Sequence, residues 1–334
     1  MIALEKEIKI ANNIVDTIGN TPLVKLNRLF NNSTYNVYGK LELSNPSGSV
    51  KDRTSMFILL EALNNGKIQP GHTIIESSSG NMALGLAQAC LYFNLKLIVV
   101  VDPHINRHTE KLLLTYGAKI EYVQTPNEKG GYLAARLEKV QQLLKQIPNS
   151  YWSNQYGNPN NPLAHQNTIT EILNSLNGKV DYLFMAVSTC GTIMGCADYI
   201  SENNIETKII AVDAKGSVLF GGLPEKRIIP GHGASVRSQF LDTSKLWDHM
   251  EVSDLDCVRG CWSLLKEEGI LCGGSTGGVI SAIKKYEAHI PDNSNCVLLL
   301  SDRGDRYLDT IYNKDWLATK IEGVKNVLYP IGGW

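Results

Sequence analysis

Almost from end to end, short continuous apolar runs alternate with segments whose apolar residues recur every three or four positions. The runs at 38–43, 73–76, 95–102, 119–123, 182–187, 208–213 and 296–301 predict strands. The segments 51–65, 81–93, 107–116, 131–146, 162–176, 191–203, 254–268 and 276–289 predict helices between them. The clearest helical stripe is Leu133, Leu137, Val140 and Leu144. The strand candidates are apolar throughout, without an alternating polar face. Such strands are buried on both sides, which points to parallel sheets covered by helices and to an α/β fold. At 334 residues the chain exceeds one ordinary core, so two lobes are expected. The stretch 147–162, rich in Pro, Asn and Gly, is the expected crossover between them. The glycine-rich stretch 215–238 is too long for a plain connector and is expected to cover an active site.

Composition narrows the function classes. Charged residues are 19% of the chain and the formal net charge is −1, which offers no field to attract nucleic acid or an anionic membrane. The longest clean apolar run, 97–101, is far too short to cross a bilayer, and the first seven residues lack the apolar core of a secretory signal. Seven scattered cysteines, an odd number, suit reduced thiols and a cytoplasmic location. Cys257 and Cys261 could be half a metal site, but no second pair follows at zinc-like spacing. His104 and His108 share a helical spacing used by zinc proteases, yet Ile105 stands where the glutamate base belongs. No metal is expected.

Chemistry concentrates in four places. Lys51 follows Asn45-Pro46-Ser47-Gly48-Ser49-Val50 and opens a predicted helix. The positive end of a helix dipole disfavours its protonation, and enclosure from water would make the neutral amine accessible for condensation with an aldehyde. A solvated first-turn lysine is the plainer alternative, and the remaining loops weigh against it. Ser77-Ser78-Ser79-Gly80-Asn81 joins a strand to a helix, where it could be an ordinary cap or a carboxylate site. Ser188-Thr189-Cys190-Gly191-Thr192 sits at a similar junction and suits a phosphate held by backbone N–H groups. It is neither a Walker loop nor a dinucleotide fingerprint. Gly273-Gly274-Ser275-Thr276-Gly277 matches a hydrolase elbow, but the only later histidine, His289, follows Glu287 by two residues and the two cannot face each other. Ser275 is therefore expected to serve a ligand. A lysine, a carboxylate loop, a phosphate cup and a late serine are together what pyridoxal phosphate requires.

In these residues the chain resembles the cysteine synthase and cystathionine β-synthase family, the fold type II pyridoxal-phosphate enzymes, over roughly residues 16–312. The resemblance implies two lobes, a smaller mobile one at 44–155 and a larger cofactor-binding one formed by 14–43 and 156–325. It implies that Lys51 carries the cofactor, that Asn81 meets its ring hydroxyl, and that Ser188, Thr189, Cys190, Gly191 and Thr192 hold its phosphate. It further implies that Ser275 faces the ring nitrogen and that Ser78, Ser79, Gly80 and Met82 grip the substrate carboxylate. An uncharged partner at the ring nitrogen favours β-elimination over transamination. Homodimerisation is implied as well.

The departures from cysteine synthases are informative. Ser188 and Cys190 replace two glycines of the usual cup, Tyr156 after Gln155 stands where a phenylalanine is usual, and Met82-Ala83 replaces Thr-Gly. Hydroxyls from Tyr156 and Ser188 beside the second substrate suit a polar amine better than sulfide. Gly130-Gly131-Tyr132-Leu133, Asn154-Gln155-Tyr156, Ala211-Val212-Asp213-Ala214-Lys215-Gly216-Ser217-Val218, Gly231-His232-Gly233-Ala234-Ser235 and Asp302-Arg303-Gly304-Asp305-Arg306-Tyr307-Leu308-Asp309 are similar to the branch that joins O-phospho-L-serine to L-glutamate through an aminoacrylate. That branch releases phosphate and supplies 2,3-diaminopropionate for siderophores. Arg136 is the expected receiver of the phosphate, with Arg227 and Lys215 as alternatives. A sulfhydrylase using O-acetylserine or O-phosphoserine is the second expectation.

Overall fold

The computed structural model describes residues 10–128 and 131–324; the expected lobe end at 325 and Gly130 of the Gly130-Gly131 pair lie outside them. Strands run at Leu23–Lys25 (β1), Asn36–Lys40 (β2), Thr73–Ser77 (β3), Lys96–Val101 (β4), Lys119–Tyr122 (β5) and Ser150–Trp152 (β6). They continue at Tyr182–Ala186 (β7), Lys208–Ala214 (β8), Asp248–Val252 (β9) and Asn295–Leu299 (β10). Helices run at Lys51–Asn64 (α1), Asn81–Tyr92 (α2), Arg107–Thr115 (α3), Gly131–Gln146 (α4) and Asn160–Leu163 (α5). The rest are Gln166–Ser175 (α6), Gly191–Glu202 (α7), Asp254–Glu268 (α8), Gly274–Tyr286 (α9) and Lys314–Lys320 (α10).

Two sheets result. The four-stranded one, ordered β5-β4-β3-β6, is parallel throughout and takes every strand from residues 119–122, 96–101, 73–77 and 150–152. The six-stranded one, ordered β1-β2-β10-β7-β8-β9, is parallel except for the β1–β2 pair. Continuous apolar strands are explained by cores on both faces of each sheet. Phe184, Ile210, Val212 and Leu298 point into one core, while Leu183, Met185, Ile209, Ala211, Val297 and Leu299 point into the opposite one. The smaller sheet divides Ile74, Val99 and Val101 from Ile75, Ile98 and Val100 in the same way. A parallel strand can return only through a crossover, so each strand's C-terminal end feeds a loop and a helix on one edge.

The structure differs from the pattern-based expectation at several places. β1, β6 and β9 were not expected from the pattern, and β6 lies inside the stretch read as a crossover. The first two strands named are short, and β9 is mostly exposed, so neither gives a continuous apolar run. The helix expected at 162–176 breaks between α5 and α6, where His165 leaves helical geometry at φ −102° and ψ 0°. Its ring is wholly buried between Thr54, Thr168 and Thr192, a placement that a straight helix would forgo. The strand expected at 38–43 ends at Lys40 because Glu42–Ser44 winds into a 3₁₀ turn. That turn points Glu42 at Arg53, which it meets at 2.7 Å, while Arg53 also reaches Glu171 at 2.7 Å. Lys40, itself buried, completes the network with Glu171 at 2.6 Å. Burial would raise the Glu171 carboxyl, but hydrogen bonds and charge from Arg53 and Lys40 outweigh it and hold it at about 2.

Candidate active site

β3, β7 and β10 all end at one cavity of about 220 Å³, several times the roughly 30 Å³ share of a water molecule and so sized for a small molecule. Lys51 lies on its wall as the first residue of α1. Ser78, Ser79 and Gly80 line it from the turn between β3 and α2, and Asn81 and Met82 from the first turn of α2. Ser188, Thr189, Cys190 and Thr192 line it from the turn between β7 and α7, and Ser275 from the first turn of α9. Arg136 of α4 joins them with Gln155 and Tyr156.

Gly191 is the exception in the cup. It opens α7, but its open side is filled by the Asn161 side chain, with which a Cβ would collide. Its small size thus serves packing behind the cup. The residue in the left-handed conformation is instead Cys190, at φ +65°, a region that favours glycine. Burial pushes the Cys190 thiol up to about 12, so it stays protonated and unreactive near neutral pH. Lys215 is exposed and Arg227 donates to Ser235 at 2.7 Å; neither lines the cavity, so Arg136 is left as the candidate phosphate receiver. Of the stretch 215–238 expected to cover the site, Pro230 and Gly231 reach it.

The helix starts explain why this place suits anions. A helix leaves its first N–H groups without internal partners. Of the helices that begin elsewhere, α3, α8 and α10 have side-chain caps from Asn106, Ser253 and Asn313, while α5 and α6 have none. α1, α2, α7 and α9 begin at the cavity, and none of the four has a side-chain cap. Apart from Lys51 N, which donates to Ser49 Oγ at 3.2 Å, and Gly191 N, which lies 3.5 Å from Thr189 Oγ1, their first-turn donors and their dipoles face the cavity end. Orphaned polar atoms gather here too. Ser77 Oγ, Arg136 Nε and Asp302 Oδ1 are buried without a partner, and all three residues line the cavity.

Burial pushes the Lys51 ammonium below its ordinary range, opposed by the negative charges of Asp302 and Glu42 among others. A half-buried amine whose protonation is disfavoured by burial, beside helix starts without side-chain caps, is a donor set that suits an aldehyde carrying a phosphate. Thr192 is backed by His165, whose Nε2 lies 3.3 Å from Thr192 Oγ1 and 3.0 Å from Thr54 Oγ1. Burial drives that imidazole well below its usual range, aided by the charges of Lys51 and Arg53, so it is neutral and able to accept. Arg136 sits 3.3 Å from Asp102 Oδ2. Tyr156, exposed on one side, is enclosed enough by the wall that burial raises its phenol, against the opposing charge of Arg136.

A second layer of residues includes Asp302, Arg306 and Tyr307, which the sequence motif contains but to which it assigned no role, and Glu76. Glu76 is fully buried and accepts from Ser153 Oγ at 2.7 Å, Ser77 N at 2.8 Å and Gln155 N at 3.1 Å, fixing both substrate-side loops. Asp302 accepts from Asn81 Nδ2 at 2.8 Å and from Tyr307 at 2.6 Å. Arg306 donates to Asn81 Oδ1 and to the Ser47 carbonyl. A lone acid within an apolar strand end, such as Glu76, was the available signal. Among the described residues no group of three or more His, Cys, Asp or Glu is placed to hold a metal ion, and no helix is long and apolar enough to cross a membrane.

A mostly parallel two-sheet frame whose cavity gathers a half-buried lysine and the starts of four helices defines a class: residues 14–302 match the family described as pyridoxal-phosphate dependent enzyme, and the chain belongs to that family. It is an α/β enzyme of fold type II, and its cofactor is pyridoxal phosphate. Among individual relatives, the chain is 45% identical over 310 residues to N-(2-amino-2-carboxyethyl)-L-glutamate synthase of Ralstonia nicotianae, covering 92% of each chain. Its fold is similar to the O-acetylserine dependent cystathionine β-synthase of Helicobacter pylori, with TM-score 0.84 and 31% identity, covering 92% of this chain and 100% of that one. It is also similar to O-acetylserine sulfhydrylase isoform 3 of Entamoeba histolytica, with TM-score 0.85 and 31% identity, covering 98% of this chain and 97% of that one.

Proposed function

We propose that this enzyme joins O-phospho-L-serine and L-glutamate by β-replacement, yielding N-(2-amino-2-carboxyethyl)-L-glutamate and phosphate. The observation that carries this reading is the placement of Arg136, with a buried unpartnered Nε, in the same cavity as Lys51, Tyr156 and Ser188. A guanidinium suits a phosphate leaving group, and two hydroxyls suit a polar amine nucleophile. The match at 45% identity over 92% of the chain supports the same substrates.

The residues present fit pyridoxal phosphate. The first-turn N–H groups of α7, with Thr189 and Thr192, would hold its phosphate; Ser275 would face its ring nitrogen, Asn81 its ring hydroxyl and Lys51 its aldehyde. When bound, the cofactor supplies an electron sink that allows a Cα–H bond to break and a Cβ substituent to leave. The turn at 78–82 binds and orients the α-carboxylate of phosphoserine through the uncapped start of α2. Lys51, lowered by burial, removes the Cα proton and later returns it. Arg136 receives the departing phosphate. Tyr156, Ser188 and Gln155 orient the amino group of glutamate toward Cβ. We read residues 44–155 as the mobile lobe, whose closure would exclude water, and the active form as a cytoplasmic homodimer that supplies diaminopropionate for siderophores.

The competing reading, a sulfhydrylase, is favoured by the likeness to the Entamoeba histolytica enzyme. A competition assay decides between them. Purified enzyme is given O-phospho-L-serine with equal glutamate and sulfide, and products are read by mass spectrometry. The glutamate adduct is expected to dominate; a predominance of cysteine would overturn the assignment.

A further inference from the structure

The segment 301–303 threads between the loops that carry three of the cofactor-facing residues. Val50 N donates to Ser301 O at 2.8 Å, Arg303 N to Gly48 O at 3.1 Å and Gly273 N to Asp302 O at 3.0 Å. Ser49 and Cys272 form bridges to Asp302 and Arg303. At its centre the Asp302 side chain is 3% exposed and lines the cavity. Isolated burial of a carboxylate is costly, so its partners deserve an explanation beyond packing. One oxygen accepts from Asn81 and Tyr307, and the other has no partner.

The consequence falls on Asn81. A carboxylate can only accept and a guanidinium can only donate. With Asp302 on its nitrogen and Arg306 on its oxygen, the Asn81 amide has one permitted orientation. Its N–H side is thereby turned toward Asp302 and the Tyr307 hydroxyl. We propose that Asp302 is a positioning residue that locks the Asn81 amide for the cofactor's ring oxygen and sets the charge felt by the Lys51 amine. This rests on the cofactor roles given above to Asn81 and Lys51, and it is independent of which amino acids are joined. Burial raises the Asp302 carboxyl, opposed by hydrogen bonds from Tyr307 and Asn81 and by the charges of Arg306 and Lys51. The ionised form is thus tied to these four groups.

The test uses Asp302→Asn, which keeps the shape, removes the charge and replaces an acceptor-only partner of Asn81 by one that can also donate, leaving Arg306 as the remaining restraint on the amide. Cofactor-stripped protein is titrated with pyridoxal phosphate, and the visible band of the reloaded enzyme is followed against pH without substrate. Affinity is expected to fall about tenfold, the scale of one hydrogen bond to a charged group. The pH midpoint of the band is expected to move down, because a negative charge near Lys51 is gone. In an Asn81→Ala background the affinity loss from Asp302→Asn is expected to vanish. Unchanged affinity and midpoint would overturn the proposal, and so would an equal affinity loss in the Asn81→Ala background. Should Asp302→Asn not fold, Tyr307→Phe removes one donor from the same oxygen; a smaller shift of the band midpoint supports the proposal and none refutes it. Failure to make the glutamate adduct, with these signatures intact, would sink the substrate assignment alone.

Discussion

Around Lys51 most of the cavity wall is a hydrogen-bonded network, whereas around Arg136, whose one guanidinium nitrogen meets Asp102 at 3.3 Å, the wall keeps unpartnered donors. Asn81, Asp302, Arg306 and Tyr307 are joined to one another on the first side, with one Asp302 oxygen left over, and neutral His165 backs the cup at Thr192. On the other side Arg136 Nε and Ser77 Oγ are unpartnered, and Tyr156 is exposed. The difference fits two kinds of occupant. A cofactor that stays is best met by groups already fixed in place, because no ordering cost remains to be met on binding. Substrates that come and go are met by groups whose hydrogen bonds are made only when they arrive.

That contrast can be broken in order of effect. Lys51→Ala removes the group assigned to proton transfer, and turnover is expected to fall by at least roughly 10²–10⁴-fold in a phosphate-release assay; near-normal turnover would dissolve the assignment of the Lys51 wall. Next comes acid stability behind that wall. His232, next to cavity-lining Gly231, donates through Nε2 to Val212 O at 3.0 Å and faces Cys257 and Arg227, and burial lowers it to about 4. The unfolded chain binds a proton near 6.5 and the folded one near 4. Stability from this group is therefore complete above about 6.5 and is lost as pH falls toward 4, by about 3 kcal/mol. Thermal melts of wild type and His232→Gln between pH 7.5 and 4.5 should show the shallower slope in the variant, and parallel slopes would refute this.

On the open side the effects are smaller and specific to substrate. Arg136→Ala is expected to weaken use of O-phospho-L-serine by about 1.5–3 kcal/mol in kcat/KM, with cofactor affinity unchanged. A loss of cofactor affinity would place Arg136 on the other wall. Tyr156→Phe should cost about 0.5–1.5 kcal/mol in kcat/KM for glutamate and leave phosphoserine consumption intact. Equal loss for both substrates would contradict a role in receiving the amine.

The architecture was legible because both sheets are buried on two faces, so their strands read as unbroken apolar runs. The gathering of the candidate residues at one cavity was legible for a related reason: Ser78-Ser79-Gly80 and Ser188-Thr189 occupy short loops between a strand and a helix, and Lys51 opens a helix, all of them marked by small and turn-forming residues. What stayed hidden depends on contacts between distant segments. Asp302 lies 221 positions from Asn81, and no local pattern brings them together. β9 was hidden by its exposed polar face, and the α5–α6 break by His165, whose reason for leaving the helix is a set of threonines elsewhere. Cys190 shows the same limit, since only the backbone reveals a cysteine in a glycine-like conformation.

The most direct measurement is reductive trapping of freshly purified, yellow enzyme with borohydride, followed by peptide mass spectrometry. The pyridoxyl mass is predicted on the peptide that contains Lys51 and on no other. Its appearance on a different lysine, or its absence from protein fully loaded with the cofactor, would contradict the account.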